Sequence, residues 1–515
     1  MIQTQAPSVA SPSFSSPIEE KDPKLAESYF KDASNYKGIA EKIFLPANEE
    51  EVSRILLAAN EKRIPVTVSG GGTGLTGARV PQTGMVLSTE KMNRILQINW
   101  DSQRQEGYAV VEPGVVLKDF EQALEERGLF YPPDPTGKYA FMGGTVATNA
   151  SGARSFKYGP TRRYVRRLRV VLANGDILEL VRGQNPSRQS FFEVSFHGEK
   201  TVRVPLPDYS MPKVKNVAGY YCQPNMDFID FFIGSEGTLG VVTQIELQVF
   251  KKPERLLSGI IFFRSEKDSY AFMTHARTTG REEKSSLKLD PRLLEFFDRH
   301  SLALLSGVYS DMPSEAGAAI FFEQECLSGN INEILAEWRR STRQFQALSA
   351  DSWISVLSSD QLVFRKFRQD LPFLVKEEVE KRGFQKIGTD MAVPDEAGEA
   401  MLDFYLRQLS ESKIDFLIFG HFGDNHLHAN LLPKTNEEFH RGKVLYETLV
   451  RKALELGGTI SAEHGIGKIK VPYLAWMYGK KAIHQMVEVK LALDPEGVLN
   501  PGNIFPVEMI KKRVI

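Results

Sequence analysis

The sequence predicts an α+β protein in which two parts of a ligand-binding domain enclose a second α+β domain. Glycine-rich segments flanked by strand-like sequence cluster before residue 250, and the glycine density returns after residue 456. Between them, short apolar strands such as 260–263 and 318–322 alternate with charged helices near 267–279 and 331–348. That alternation is typical of an antiparallel sheet with helices on one side.

The domain boundaries follow from these changes in composition. We expect a disordered tail at residues 1–30, the ligand-binding domain at 38–250, the second domain at 251–455, and a C-terminal segment at 456–515 that packs on the first domain. Residues 1–18 are rich in Ser, Pro and Ala and contain no Lys or Arg. This composition disfavours a secretory signal or a transit peptide.

Charge and cysteine content exclude several functional classes. The net charge is −1, which gives no electrostatic reason to expect nucleic acid as a partner. Two cysteines, Cys222 and Cys326, are too few to ligate an iron–sulfur cluster. No apolar run reaches the roughly 18 residues of a membrane span. We expect a cytoplasmic protein, with peripheral membrane association left open.

Two local predictions concern regular structure in the first domain. Residues 48–62 carry apolar side chains on one face and three glutamates in the first turn, so they predict a helix. Residues 169–180 predict a hairpin in which Asn174-Gly175 forms a type I′ turn.

Gly72-x-Gly74-x-x-Gly77 matches a dinucleotide fingerprint and follows a predicted strand at 64–68. A Rossmann loop opens a helix, but here the chain continues through Pro81 and Gly84 to another strand at 85–87, so we reject that fold. Successive backbone N–H groups can still bind phosphate as a nest. The alternative is an ordinary glycine-rich surface turn.

Further small-residue segments favour a cofactor cleft over a surface turn. They lie at 132–136, 142–152, 157–159 and 232–240, each flanked by strand-like sequence. Backbone that must approach a flat, phosphate-bearing cofactor closely needs such residues.

In their order, these segments resemble the FAD-binding domain of the vanillyl-alcohol-oxidase and PCMH superfamily, in particular its D-lactate, glycolate and D-2-hydroxyglutarate dehydrogenase branch. The resemblance covers about residues 38–505. It implies a two-subdomain PCMH-type FAD-binding domain, a substrate (cap) domain, and FAD as the cofactor. No His precedes His197 and the first loop has no Cys, so we expect FAD without a covalent bond. The resemblance implies these FAD-binding residues: Ser69, Gly70, Gly71, Gly72, Thr73, Gly74, Gly77, Pro133, Asp134, Thr136, Gly143, Gly144, Thr145, Ala147, Asn149, Ser151, Gly152, Tyr158, Gly159, Glu236, Gly237, Gly240, Val242 and Asn500.

A second cluster joins imidazoles and a carboxylate. His421, His426 and His428 lie within eight residues, and Glu463-His464 follows. Two histidines and a carboxylate form a usable site for Zn²⁺, Mn²⁺ or Fe²⁺. A bound ion lowers the pKa of the hydroxyl group of a chelated 2-hydroxy acid, and a nearby base then takes the hydroxyl proton. The alternative is hydrogen-bonded core histidines, which this dense pattern disfavours.

The resemblance assigns roles to matching positions. It implies that His421, His428 and Glu463 bind the metal, Zn or Mn, and that His464 is the base beside the flavin. Asn430 matches a substrate-contacting residue, and Arg368 in the segment 364–372 matches a carboxylate-binding arginine. The family often reads Gly-Asp-Gly-Asn-Leu-His where this chain has Gly-Asp-Asn-His-Leu-His, so His426 is an added histidine. His426 either has no role in the reaction, or it replaces a contact that asparagine makes in the family and alters the choice of substrate.

Local features also bear on the substrate and the electron acceptor. Some relatives that act on D-2-hydroxyglutarate carry a lysine where this chain has Gly388, although Lys386 is near, and this favours a monocarboxylate such as D-lactate or glycolate. Lys215 and Asn216 either touch the substrate or the flavin ring, or shape a turn. Without nicotinamide or iron–sulfur motifs, reoxidation needs a partner such as an electron-transfer flavoprotein, a quinone or a cytochrome. The oligomeric state stays open, a homodimer included.

Two other functions remain as alternatives. One is a transferase similar to alkylglycerone-phosphate synthase, which uses the same flavin fold without net oxidation. The other is a non-catalytic paralogue in which FAD is structural. The set His421, His428, Glu463 and His464 argues against the second, because a structural flavin needs none of them.

Overall fold

The computed structural model describes residues 2–5, 18–19, 23–187, 190–196, 200–281 and 289–511. The strands are β1 Ile2–Gln5, β2 Ile18–Glu19, β3 Lys42–Leu45, β4 Val66–Ser69, β5 Met85–Ser88, β6 Ile95–Asp101, β7 Glu106–Val111, β8 Leu129–Phe130, β9 Val165–Val171, β10 Ile177–Val181, β11 Phe191–Phe196, β12 Lys200–Pro205, β13 Val241–Lys251, β14 Arg255–Phe263, β15 Pro291–Asp298, β16 Ala318–Cys326, β17 Trp353–Ser355, β18 Ile387–Gly388, β19 Phe416–His421 and β20 His426–Leu431. The helices are α1 Pro23–Tyr29, α2 Glu49–Glu61, α3 Leu117–Glu125, α4 Met142–Ala147, α5 Ser155–Tyr158, α6 Ile229–Phe232, α7 Glu266–Arg281, α8 Arg299–Leu305, α9 Ile331–Gln344, α10 Ser358–Arg382, α11 Gly398–Ser412, α12 Asn436–Glu455, α13 Val471–Leu493 and α14 Val507–Lys511.

Three sheets organise these elements, and they confirm the predicted α+β class. The first has four strands in the order β2-β3-β5-β4, and the second runs β12-β11-β1-β10-β9-β13-β7-β6, with β8 paired to β13. The third has seven strands in the order β17-β14-β16-β15-β19-β20-β18, and all its pairings are antiparallel. The first two sheets carry the glycine-rich loops, and the third carries the histidine cluster.

The predicted tail contains regular structure. Within residues 1–30, β1 lies between β10 and β11, β2 pairs with β3, and α1 follows. The tail prediction depended on the Ser, Pro and Ala content of residues 1–18, and backbone pairing in a sheet does not require particular side chains. The rest of the predicted tail, residues 1, 6–17 and 20–22, lies outside the described residues.

The helix predicted at 48–62 is confirmed as α2. Asn48 caps it by accepting a hydrogen bond from the Glu51 N–H at 3.0 Å, and Val52, Ile55 and Leu56 are buried. The carboxylate of Glu51, at the N3 position, accepts a hydrogen bond from the Ala47 N–H. This arrangement is a variant of the capping box, with the return bond one residue earlier.

The hairpin β9–β10 is present, but its predicted type I′ turn is wrong. Only Gly175 adopts a positive φ, 83°, whereas a type I′ turn requires it at both central residues. The Gly175 N–H donates to Leu172 O at 2.9 Å, and the Leu172 N–H donates to Asp176 O at 2.8 Å. The loop is therefore longer than two residues, and only its last position needs glycine.

Rejection of a Rossmann fold agrees with the structure. Residues 70–84 are all described and contain no helix, and the chain passes from β4 directly to β5. These two strands are parallel neighbours in the four-stranded sheet.

The C-terminal segment returns to the first sheet. The Asn500 N–H donates to Val66 O at 2.8 Å, and Asn500 Oδ1 accepts from the Val68 N–H at 2.7 Å. Lys468 Nζ lies 3.3 Å from the carbonyl oxygen of Gly77. Residues more than 380 positions away in sequence thus contact β4 and the glycine loop that follows it. The domain boundaries themselves stay a prediction.

Asp298 ends β15 and caps α8, and it makes stability depend on pH. Its Oδ1 accepts from the Ser301 N–H at 2.8 Å and from Ser301 Oγ at 2.6 Å, while Oδ2 is buried without a hydrogen-bond partner among the described residues. Burial raises the pKa of this carboxyl to about 7. The folded chain then holds a proton that an unfolded Asp releases above about pH 4.

We therefore expect Asp298 to favour folding at low pH and to lose this effect as pH rises from about 4 to about 7. The non-titrating variant Asp298→Asn should not share this slope, which is about 1.4 kcal/mol per pH unit at its steepest. Thermal melting of both proteins from pH 5 to 8 measures the difference. Parallel curves would contradict the raised pKa.

Candidate active site

A cleft is lined by the glycine-rich segments and by Glu463 and His464. Its wall is formed by the loop after β4, by α4 and the residues that follow it, and by the segment before β13. The predicted cofactor residues on this wall are Ser69, Gly70, Gly71, Gly72, Thr73, Gly74, Thr136, Gly143, Gly144, Thr145, Ala147, Ser151, Gly152, Glu236, Gly237, Gly240, Val242 and Asn500.

Six predicted residues do not line the described part of this cleft: Gly77, Pro133, Asp134, Asn149, Tyr158 and Gly159. The structure gives several of them partners within the protein. The Gly77 N–H donates to Asp32 Oδ2 at 2.9 Å, and Asn149 Oδ1 accepts from the Arg162 N–H at 2.8 Å. Asp134 pairs with Lys138, and Tyr158 donates to Glu325. These residues therefore contact other parts of the protein and not the cleft.

The wall suits a flat, phosphate-bearing ligand because backbone is accessible there. A Cβ on Gly144 would meet no atom within 4 Å, so this turn of α4 leaves open space beside its main chain. Glu236 has φ 54° and accepts from the N–H groups of Ile466 and Gly467 at 2.6 and 2.7 Å. The Glu236 carboxylate therefore joins the C-terminal segment to the wall.

Sequence reasoning missed two side chains at the glycine loop. Arg79 and Asp32 both line the cleft. Arg79 donates to Gly70 O at 2.7 Å, and Asp32 accepts from Gly77 at the other end of the loop. For Arg79, the available sequence signal was a charged residue directly after the run of small ones.

The hairpin β19–β20 brings the histidines together. His421 lies opposite His426 in the register, and His428 lies two residues further along the same strand face. Gly420 has φ 128°, and a Cβ there would come within 2.8 Å of the His428 ring. Asn425, where the family often has glycine, has φ 48°, a conformation that asparagine tolerates.

Glu463 reaches this hairpin from the C-terminal segment. Its Oε1 lies 3.1 Å from His421 Nε2 and 3.2 Å from His428 Nε2, so the predicted metal ligands converge on one point. Its Oε2 accepts from Lys215 Nζ at 2.7 Å and from Ser151 Oγ at 3.3 Å. Burial opposes the charge of Glu463, yet His421 and Lys215 outweigh it and hold its pKa well below the usual value.

Acidic partners surround the cluster, and the sequence alone did not identify them. Glu295 in β15 lies opposite His421 in the register, and its Oε1 is 2.6 Å from His421 Nδ1. Burial lowers the pKa of His421, but Glu295 and Glu463 outweigh it and raise the value to about 9. Asp390 Oδ1 lies 3.3 Å from His464 Nδ1. A charged residue within the apolar strand β15 was the available signal for Glu295.

The predicted substrate residues lie around the same point. Arg368 on α10 donates through Nε to Glu295 Oε2 at 2.9 Å and through Nη1 to Thr136 Oγ1 at 3.2 Å. Asn430 Oδ1 accepts from Lys386 Nζ at 2.6 Å. The structure thus brings together His421, His428, Asn430, Glu463 and His464, with Arg368 linked to them through Glu295.

The segment at 214–220 separates into two roles. Lys215 faces Glu463, whereas Asn216 Oδ1 accepts from Thr459 Oγ1 at 2.6 Å and from the Ala218 N–H at 3.1 Å. Lys215 therefore belongs to the charged cluster, and Asn216 shapes the turn.

Comparison with known proteins agrees with this geometry. Residues 40–181 match the family described as "FAD binding domain", and residues 269–504 match "FAD linked oxidases, C-terminal domain". The glycolate oxidase subunit GlcD of Bacillus subtilis is 31% identical over 485 residues, which is 93% of this chain and 92% of GlcD. The chain belongs to the FAD-linked oxidase family. A D-lactate dehydrogenase of Anaerostipes hadrus is 34% identical, covering 88% of this chain and 87% of that protein.

The fold of this FAD-linked oxidase also has a solved counterpart. An alkyldihydroxyacetonephosphate synthase structure superposes with a TM-score of 0.64 over 94% of this chain and 82% of that one, at 16% identity. This likeness concerns the fold alone. The resemblance to the PCMH superfamily is confirmed, and the chain is an FAD-linked oxidoreductase. None of the described helices has the length and apolarity to cross a membrane.

Proposed function

We propose that this FAD-linked oxidase converts a small D-2-hydroxy acid, such as D-lactate or glycolate, to the 2-oxo acid. The supporting observation is that Glu463 and His464 lie on the wall of the cleft that the glycine-rich segments form. The proposed base and the proposed metal ligands therefore adjoin the place where a flavin would lie. FAD bound there without a covalent bond would supply the hydride acceptor.

His464 is the proposed general base. Its Nδ1 faces Asp390 Oδ1 at 3.3 Å, and Asp390 also accepts from the His464 N–H at 3.1 Å. Asp390 is itself held by Lys470 and by Ser461 Oγ. A carboxylate fixed in this way orients the imidazole, as a base that takes the hydroxyl proton requires.

His421, His428 and Glu463 are the proposed ligands of a divalent ion. Two imidazole nitrogens lie 3.1 and 3.2 Å from the same carboxylate oxygen, which fits a shared cation. Such an ion, Zn²⁺ or Mn²⁺, lowers the pKa of a coordinated hydroxyl group. Arg368, fixed by Glu295, is the proposed partner of the substrate carboxylate.

Lys386 bears on the choice of substrate. The sequence favours a monocarboxylate, because Gly388 stands where some relatives carry lysine, yet the Lys386 ammonium reaches Asn430. Burial lowers its pKa to about 8. If the ammonium binds a second carboxylate, Lys386→Met should slow flavin reduction by D-2-hydroxyglutarate at least tenfold and leave D-lactate unaffected. Equal effects on both acids would assign Lys386 to Asn430 alone.

The function is tested by following the visible flavin spectrum without oxygen while D-lactate, L-lactate, glycolate and D-2-hydroxyglutarate are added in turn. Reduction by glycolate or a D-acid, but not by L-lactate, supports the proposal, and the fastest acid gives the substrate class. A flavin that no acid reduces, even after Zn²⁺ or Mn²⁺ is supplied, contradicts it and favours the transferase or the structural-FAD alternative. Acceptors are then compared by reoxidation with an electron-transfer flavoprotein, a quinone and cytochrome c.

A further inference from the structure

His426 is the feature in which this chain departs from the family pattern. It is fully buried at the start of β20, within the histidine cluster. Its Nε2 lies 3.0 Å from Asp390 Oδ1, whereas within the described residues its Nδ1 has no hydrogen-bond partner. A buried imidazole nitrogen without a partner is costly, so a ligand for Nδ1 is the expected compensation.

The three imidazoles of the hairpin share one arrangement. His421 turns Nδ1 to Glu295 Oε1 at 2.6 Å, and His428 turns Nδ1 to Thr389 O at 3.0 Å. His426 turns Nε2 toward Asp390. Metal-binding histidines almost always hold their second nitrogen against a carboxylate or a carbonyl in this way. By this pattern, Nδ1 of His426 is the nitrogen left for a ligand.

The positions of the rings agree with a common centre. The His426 ring centroid lies 4.4 Å from that of His428 and 5.3 Å from that of His421. Among the described residues, His421, His426, His428 and Glu463 each offer one ligand atom, and these four atoms lie within 4.8 Å of one another. Asp390 contacts both His426 and His464, so the same carboxylate would orient the added ligand and the proposed base.

We propose that His426 is a fourth protein ligand of the metal, so that this chain binds its ion through three imidazoles and one carboxylate. The inference rests on the proposed function, in which His421, His428 and Glu463 already bind an ion. A nitrogen-rich set favours Zn²⁺ and Co²⁺ over Mn²⁺, which prefers oxygen ligands. It also leaves fewer coordination positions for the substrate than a three-ligand site does.

The variant His426→Asn, which restores the residue common in the family, tests whether His426 binds the metal. The variant His426→Gln, which carries a longer amide side chain, is a second test of the same ligand. His440→Asn is the matched control, because His440 lies on α12 outside the cluster. FAD-loaded protein is stripped of metal, and its dissociation constants for Co²⁺ and Mn²⁺ are measured by competition with a chelator. The Co²⁺ absorption spectrum reports the ligand set without any turnover.

We expect His426→Asn to weaken Co²⁺ binding by at least about tenfold, the lower end of the loss seen when even an outer partner of a metal ligand is removed. Mn²⁺ binding should change less, the Co²⁺ spectrum should shift, and His440→Asn should match the wild type. Equal Co²⁺ affinity and an unchanged spectrum in His426→Asn would overturn the proposal while leaving the three-ligand site intact. Wild-type protein that binds no stoichiometric metal would overturn the metal site as well.

A measurement on the unaltered protein covers the case in which the variants do not fold. X-ray absorption of the Zn²⁺-loaded wild type counts its imidazole ligands. Three imidazoles support the assignment of His426, and two contradict it.

Discussion

Replacing His464 with glutamine is expected to slow reduction of the flavin by about 10²–10⁴-fold, the contribution typical of a general base. His464 lies on the cleft wall with Nδ1 held against Asp390, and glutamine has no basic nitrogen to take the hydroxyl proton. Anaerobic rapid mixing with the fastest hydroxy acid measures the rate. FAD content should stay normal, because the glycine-rich wall is unchanged.

His484→Gln is the matched control for this loss. His484 is an exposed residue of α13, and its replacement should leave the rate of reduction at the wild-type value. A His464→Gln protein that reduces its flavin as fast as the wild type would place the base elsewhere in the cleft.

Replacing Lys490 with methionine is expected to lower the free energy of unfolding by about 3–5 kcal/mol, the usual result of removing one partner of a buried ion pair. Lys490 in α13 and Asp494, which follows the last residue of this helix, are both fully buried and form an ion pair. Lys490 Nζ also donates to Thr238 O at 2.6 Å and to Leu499 O at 2.9 Å. The pair thus joins α13 to the glycine-rich segment before β13 and to the C-terminal return, so bound FAD should be retained less well.

Thermal unfolding and the fraction of bound FAD measure this effect. Lys481→Met is the matched control, because Lys481 lies on the same helix and forms an exposed pair with Asp208. Such surface pairs contribute about 0–1 kcal/mol. A Lys490→Met protein no less stable than this control would show that the buried pair adds nothing over an apolar side chain.

Much of the candidate site follows from short stretches of sequence. Positions 426 and 428 are two residues apart in one strand, so their side chains lie on the same face of the sheet regardless of the rest of the chain. Glu463 and His464 are adjacent in the chain, so placing one near the hairpin places the other. The glycine-rich segments indicated a cleft because close approach of backbone to a ligand is a local property of residue type.

The partners of these residues depend on pairing between distant segments. Glu295 meets His421 because β15 pairs with β19 in one register, and a slip of one residue would turn Glu295 to the other face of the sheet. Lys386 reaches Asn430 because β18 adds to the edge of β20. No local pattern in residues 291–298 or 386–388 specifies those neighbours.

The sequence by itself determined the class of fold, the glycine-rich wall and the set of imidazoles and carboxylate, because residue type and short-range periodicity encode them. The order of these segments carried the resemblance to the family. Only the tertiary structure decided that Asp390 serves both His464 and His426, that Glu295 links Arg368 to His421, and that Lys386 adjoins Asn430. Strand register and the packing of α10 and the C-terminal segment bring these groups together. Both depend on burial summed over the whole chain rather than on any one segment.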